Sequence, residues 1–192
     1  SIANWTGLIT ENNKFGFSDD GTQEPFYTRD NWGKISEKSW GSNQIIDFRF
    51  AKKDSIWGSD DDTDIEYIYQ ELLLDNNTTI LTGNQIRDGW LKHIKKEEQN
   101  YLWVSNQKAF DLMINGILPP ETSSPKLNPH YEMIDAQLTT EIFGFFAPTK
   151  PKVALSLGHL PIRTTARENA ALISEFNIIM YALASTETDH ST

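Results

Sequence analysis

Ile65-Glu66-Tyr67-Ile68-Tyr69-Gln70-Glu71-Leu72-Leu73 is the stretch on which the fold turns. Its apolar residues Ile65, Ile68, Tyr69, Leu72 and Leu73 recur at i, i+3, i+4, i+7 and i+8, the spacing of one buried helix face. Thr63 and Glu66 supply a capping box at its start, and Asp75-Asn76-Asn77 a polar stop. Downstream the same period recurs. Ile86, Trp90 and Ile94 mark a helix after Gly83, and Trp103, Ala109, Phe110 and Met113 mark another, stopped by Asn115-Gly116 and Pro119-Pro120. Tyr131, Ile134, Leu138, Ile142 and Phe145 predict a long helix ending at Pro148. Val153, Ala154 and Leu157 predict a short one, and Leu172, Phe176, Ile179, Met180 and Leu183 the last. Between them, Glu121 to Pro129 reads as an ordered surface loop or lid.

Upstream of residue 59 the pattern changes. Residues 1–58 are rich in Gly, Asn, Asp and aromatics, with Trp5, Trp32, Trp40 and Trp57 set among turn signals such as Asp20-Gly21. They read as loops and short irregular elements, with one weak strand pattern at Ile45 to Phe50. The expectation is an all-α, multi-helix single domain with an irregular N-terminal portion and a helical core over residues 59–184.

Composition narrows the function classes. The chain has 192 residues, enough to bury a core without disulfides or a structural metal, and it has no cysteine. Thiol nucleophiles, redox pairs and Cys-ligated metals are therefore excluded. Seventeen Lys and Arg against 27 Asp and Glu leave a net charge of −10, and the longest basic stretch is Lys95-Lys96. Such a surface repels phosphate backbones, so no nucleic-acid partner is expected. Apolar runs such as Ile142 to Ala147 fall far short of the ~20 residues of a membrane span, so no membrane partner is expected either.

The chemically distinctive segment is Ser59-Asp60-Asp61-Asp62-Thr63-Asp64. Adjacent carboxylates repel one another unless water or a cation compensates. From spacing alone, two readings stand. The run is either an acidic, solvated helix start favoured by the macrodipole, or a set of hard oxygen ligands for a divalent cation such as Mg²⁺. An EF-hand does not fit: Asp60, Asp62, Asp64 and Glu71 match ligand positions, but the position that needs Gly for the sharp turn is Ile65, on the apolar helix face.

Several motifs in order point further. Trp57-Gly-Ser-Asp-Asp-Asp-Thr-Asp-Ile-Glu-Tyr67 is followed by Asp88-Gly-Trp-Leu91 and Asn115-Gly-Ile-Leu-Pro-Pro-Glu-Thr122. Then come Asn128-Pro-His-Tyr-Glu-Met-Ile-Asp-Ala-Gln-Leu-Thr-Thr-Glu-Ile-Phe-Gly144 and Ala147-Pro-Thr-Lys-Pro-Lys-Val-Ala154. Over about residues 57–184 this series resembles a bacterial branch of the ADP-ribosylglycohydrolase family.

The resemblance implies a Mg²⁺-dependent (or Mn²⁺-dependent) hydrolase that cleaves the ribose C1 bond of an ADP-ribosyl substrate. Asp60, Asp61 and Asp62 would be metal ligands, with Asp61 and Asp62 also catalytic, and Asp135, Gln137 and Asn169 would contact substrate. The family's Gly-rich opening helix with its site Glu, and its closing Gly-Asp-Thr-Asp motif, are not found here. Thr186-Glu-Thr-Asp189 comes too soon, and without the helix that follows the motif, to serve as it. Where relatives carry a His and a Gly-rich turn, this chain reads Thr164-Thr-Ala-Arg-Glu-Asn-Ala-Ala171, of which only Asn169 matches. The resemblance thus covers the centre of such a domain, with a dinuclear site that this chain alone leaves incomplete. A non-catalytic relative that binds ADP-ribose or a protein, and a fragment completed by a second chain, are the rival expectations.

Other residues carry plainer expectations. His93, His130, His159 and His190 share no ligand spacing and read as surface or capping residues, Trp90 reads as core, and periodicity alone makes Glu132, Asp135 and Gln137 solvated.

Overall fold

The computed structural model describes residues 61–94 and 102–187. The chain divides at Asp60, and all described residues belong to the unit that begins at Asp61. The expectations for residues 1–58, with the strand pattern at Ile45 to Phe50, lie outside them. The regular elements are α1 (Asp61–Asp75), α2 (Gly83–His93), α3 (Val104–Ile114), a 3-10 turn at Glu121–Ser123, α4 (Asp135–Thr139), α5 (Ile142–Phe146), α6 (Pro151–Thr165) and α7 (Glu168–Ala184). The described residues are therefore all-α.

Helix α1 places its apolar stripe as its period requires. Ile65, Ile68, Tyr69 and Leu72 are buried and Leu73 packs partly buried against them. Its start differs from expectation: the helix is already under way at Asp61, so Thr63 lies inside the first turn and is not the cap. Acidic residues in that turn suit the positive end of the macrodipole. The capping box belongs instead to α2, where Thr82 Oγ1 accepts the Gln85 N–H at 3.3 Å and Gln85 Oε1 accepts the Thr82 N–H at 2.8 Å. Trp90 is wholly buried. The Tyr69 ring sits 6.3 Å from Trp90 and 5.6 Å from Phe143, joining α1, α2 and α5 in one aromatic core.

Helix α3 stops where the Asn115-Gly116 signal places it. Gly116 takes φ +83°, its N–H donates to Met113, and the Ile117 N–H donates back to Leu112 at 3.0 Å, which closes a Schellman motif. The long helix expected over Tyr131 to Phe145 is instead two five-residue helices, α4 and α5. Thr139 and Thr140 explain the break, since their hydroxyls donate to the carbonyls of Asp135 and Ala136, one turn back, and compete with the helix ladder. The face differs as well. Ile134 and Leu138 are exposed, whereas Asp135, Ala136, Thr139, Thr140 and Phe143 are buried.

Helix α6 is longer than its apolar triplet suggested and runs 15 residues through Pro161. Helix α7 turns the opposite face inward from the one its large side chains predict. Leu172, Phe176, Met180 and Leu183 are exposed, and Ala170, Ser174, Ile178 and Ala182, at i, i+4, i+8 and i+12, are buried. Small residues on that face let α5 and α6 approach closely. The Gly144 Cα comes near enough to α7 that a methyl group there would meet the Ile178 carbonyl oxygen at 2.6 Å. The segment Glu121 to Pro129 is not simply a surface loop, because Thr122, Ser123 and Asn128 are buried. No described helix is long and apolar enough to cross a membrane.

Candidate functional site

Asp60 lies outside the described residues, Asp61 is the first residue of α1, and Asp62 in that first turn is half-buried. Among the described residues no group of three or more His, Asp or Glu side chains converges to hold a metal. Asp62 and Asp64 are both engaged in interactions of their own. In sequence, three consecutive carboxylates offer only oxygen atoms, the ligand type that a hard cation such as Mg²⁺ takes.

The second cluster is built on a helix start with an unsuitable cap. The N-cap of α3 is Trp103, whose side chain makes no capping hydrogen bond. The orphan N–H groups of the first turn must find another acceptor. Asp135 supplies it, with Oδ1 2.9 Å from both the Ser105 and the Asn106 nitrogen. At 2% exposure Asp135 is not the solvated residue that periodicity suggested. Burial pushes its carboxyl above the usual range, opposed by the N–H groups of Asn106, Asp135 itself and Ser105 and by the nearby His130.

Around this cap runs a buried polar seam. The Ser105 hydroxyl donates to the Thr165 carbonyl at 2.7 Å, and the Asn128 amide donates to the carbonyls of Ser105 and Thr122 at 3.3 and 3.2 Å. The Thr122 hydroxyl donates to the Thr164 carbonyl at 2.7 Å, and Ser123 does the same to Arg163. The C-terminal turn of α6, the 3-10 turn, the start of α3 and the start of α4 are thereby tied together. Two groups beside the seam stay unmatched: Asp135 Oδ2 and both polar atoms of the Asn106 amide are buried without a hydrogen-bond partner.

Asn169 lies at the surface, where its amide donates to Glu132 at 3.4 Å. Beside it, the Arg167 N–H donates to the Tyr131 carbonyl at 3.0 Å, and the Arg167 guanidinium donates to the Pro120 carbonyl at 2.6 Å. Glu168 beside Tyr131 raises the phenol above its usual range. A shallow hollow of about 310 Å³ opens here, lined by Glu121, Ser124, Pro125, Arg167 and Glu168. Gln137 is half-buried on α4, with its N–H donating to Ile134. Of the residues named from sequence, then, Asn169 is brought to Glu132, while Asp135 is drawn inward to α3.

Asn106 was not singled out from sequence, although a signal was present. It lies three, four and seven residues before Ala109, Phe110 and Met113, and so on the apolar face of α3. A polar amide at a core position marks a buried network. Compared with known proteins, the chain matches no family model, no curated protein and no solved structure.

Proposed function

We propose that the chain carries the first metal motif and the central helices of an ADP-ribosylglycohydrolase-like fold, and that it acts in Mg²⁺-dependent hydrolysis of a ribose C1 bond in an ADP-ribosyl substrate. The observation that supports this reading is the place of the acid run: Asp61 is the first residue of α1 and Asp62 lies in its first turn, with Asp60 next to them in sequence. There the macrodipole offsets part of their mutual repulsion, and a divalent cation would offset the rest.

Asp60, Asp61 and Asp62 would hold Mg²⁺. When bound, the ion supplies Lewis-acid activation of water and stabilises developing negative charge. The chain's own residues bind and orient around it. Asn169 and Glu132 present an amide and a carboxylate side by side at the surface, a pairing able to hold sugar hydroxyls. Asp135 acts from behind by fixing the start of α3 against α4, and Gln137, half-buried on the same short helix, would contact substrate.

The test is release of ADP-ribose from an ADP-ribosylated protein, comparing this chain alone, which with only the first metal motif should be nearly inactive, with a form that also carries the second motif. Turnover should require Mg²⁺, vanish with EDTA, and fall roughly 10²-fold or more in Asp61→Asn and Asp62→Asn, the scale at which a lost electrostatic stabiliser is felt. Tight binding of ADP-ribose without cleavage would overturn the hydrolase reading in favour of a binding module.

A further inference from the structure

We propose that Asp135 Oδ2 and the Asn106 side-chain amide share an internal water, sealed between the starts of α3 and α4. Asp135 is 2% exposed and Asn106 0%, and Asp135 Oδ2, Asn106 Oδ1 and Asn106 Nδ2 are all buried without a hydrogen-bond partner. The Asp135 carboxylate is held against the backbone of Asn106 itself, with Oδ1 2.9 Å from the Asn106 main-chain nitrogen. That bond, with its twin to Ser105, fixes where the carboxylate lies, so the second oxygen is not free to swing away.

The chemistry of the three atoms selects the ligand class. Asp135 Oδ2, as a carboxylate, and Asn106 Oδ1 need donors, and Asn106 Nδ2 needs an acceptor. A cation would serve the two oxygens and leave the amide nitrogen unmet. An anion would serve the nitrogen and oppose the carboxylate. Water both donates and accepts, and buried waters characteristically join two to four such atoms in sites closed to solvent. Its role here is structural: it completes the polar seam that joins α3, α4 and the end of α6 through Asp135, Ser105 and Thr165. The inference rests on this geometry alone and is independent of the hydrolase reading, because neither metal nor substrate enters it.

A crystal structure of the full chain at a resolution that shows ordered water is the direct test. The expected result is a density peak about 2.7–3.1 Å from Asp135 Oδ2 and within hydrogen-bond reach of the Asn106 amide. Oxygen-17 relaxation dispersion in solution should then count one fewer long-lived internal water in Asn106→Leu than in the wild type. If that variant does not fold, the wild-type map still decides. Direct contact of Asn106 Nδ2 with Asp135 Oδ2 and no density between them would overturn the proposal. So would a peak that gains anomalous signal on soaking with rubidium, which would mark a monovalent cation.

Discussion

The carboxylate of Asp135 accepts the backbone N–H of Asn106 at 2.9 Å across 29 residues of chain, and in doing so caps a helix whose own N-cap residue, Trp103, cannot. Removing that acceptor leaves two N–H groups unpaired at a buried site. Asp135→Ala should therefore cost about 1–3 kcal/mol in denaturant unfolding, whereas Asp135→Asn, which keeps an acceptor oxygen, should cost less. Equal losses in the two variants would show that the cap is not what Asp135 contributes.

The same residue predicts a pH dependence. Burial raises the folded-state pKa of Asp135 above its ordinary 3.8, so the folded chain binds its proton more tightly than the unfolded chain does. The resulting stability is fully present below the ordinary value and is lost as pH rises through the raised one. Asp135→Asn cannot ionise. Its melting temperature relative to the wild type should therefore rise as pH goes from about 4 toward neutrality. A constant difference across that window would mean that the carboxyl ionises equally easily in both states.

Helix α7 explains why part of the fold was legible in the sequence and part was not. Periodicity located α1, α2 and α3 because their large apolar residues are also their buried ones, as Ile65, Trp90 and Met113 show. On α7 hydrophobicity and burial separate. The helix is apolar nearly all round, and close packing against α5 and α6 selects the small side chains of Ala170, Ser174 and Ala182 for the inner face. On α4 the inner face is Asp135, Ala136 and Thr139, which no hydrophobic period would select, and the break before α5 comes from threonine hydroxyls whose partners lie four residues back. The acid run stands out in the sequence as adjacent carboxylates. The cap that Asp135 gives to α3 does not, because it is a long-range bond that no local spacing encodes.

That inversion can be measured. Ile178 is wholly buried on α7 and Phe176 is 57% exposed. Ile178→Ala should cost about 2–5 kcal/mol, the range for a core truncation, while Phe176→Ser should change stability by no more than about 0.5 kcal/mol. If Phe176→Ser proved the more damaging, the face assigned to the core would be the wrong one.

Gly144 and Gly116 offer a paired test of close approach against backbone strain. A methyl group at Gly144 would lie 2.6 Å from both the Ile178 carbonyl oxygen and Tyr181 Cβ, and main-chain atoms there cannot step aside cheaply. At Gly116 nothing lies within 4 Å, but φ is +83°. Gly144→Ala should cost about 1–3 kcal/mol through overpacking, and Gly116→Ala about 1 kcal/mol through the left-handed conformation alone. Equilibrium unfolding should rank them in that order, and the reverse order would show that α5 and α7 are less tightly apposed.

The last prediction concerns metal. Carboxylates grouped at the start of α1 repel one another in the absence of a counter-charge, so a bound cation should favour the folded state over the unfolded one. The gain follows RT ln(1 + [L]/Kd), about 2.7 kcal/mol when the free ion reaches one hundred times Kd, and the melting temperature should climb with Mg²⁺ or Mn²⁺ concentration. Non-specific screening would also raise it in so acidic a chain, so the titration is run at constant ionic strength and repeated on Asp61→Ala. Loss of the Mg²⁺-dependent shift in that variant, with the fold intact by circular dichroism, is the expected result. An equal shift in Asp61→Ala would detach the acid run from metal binding and return it to the simpler role of a charged helix start.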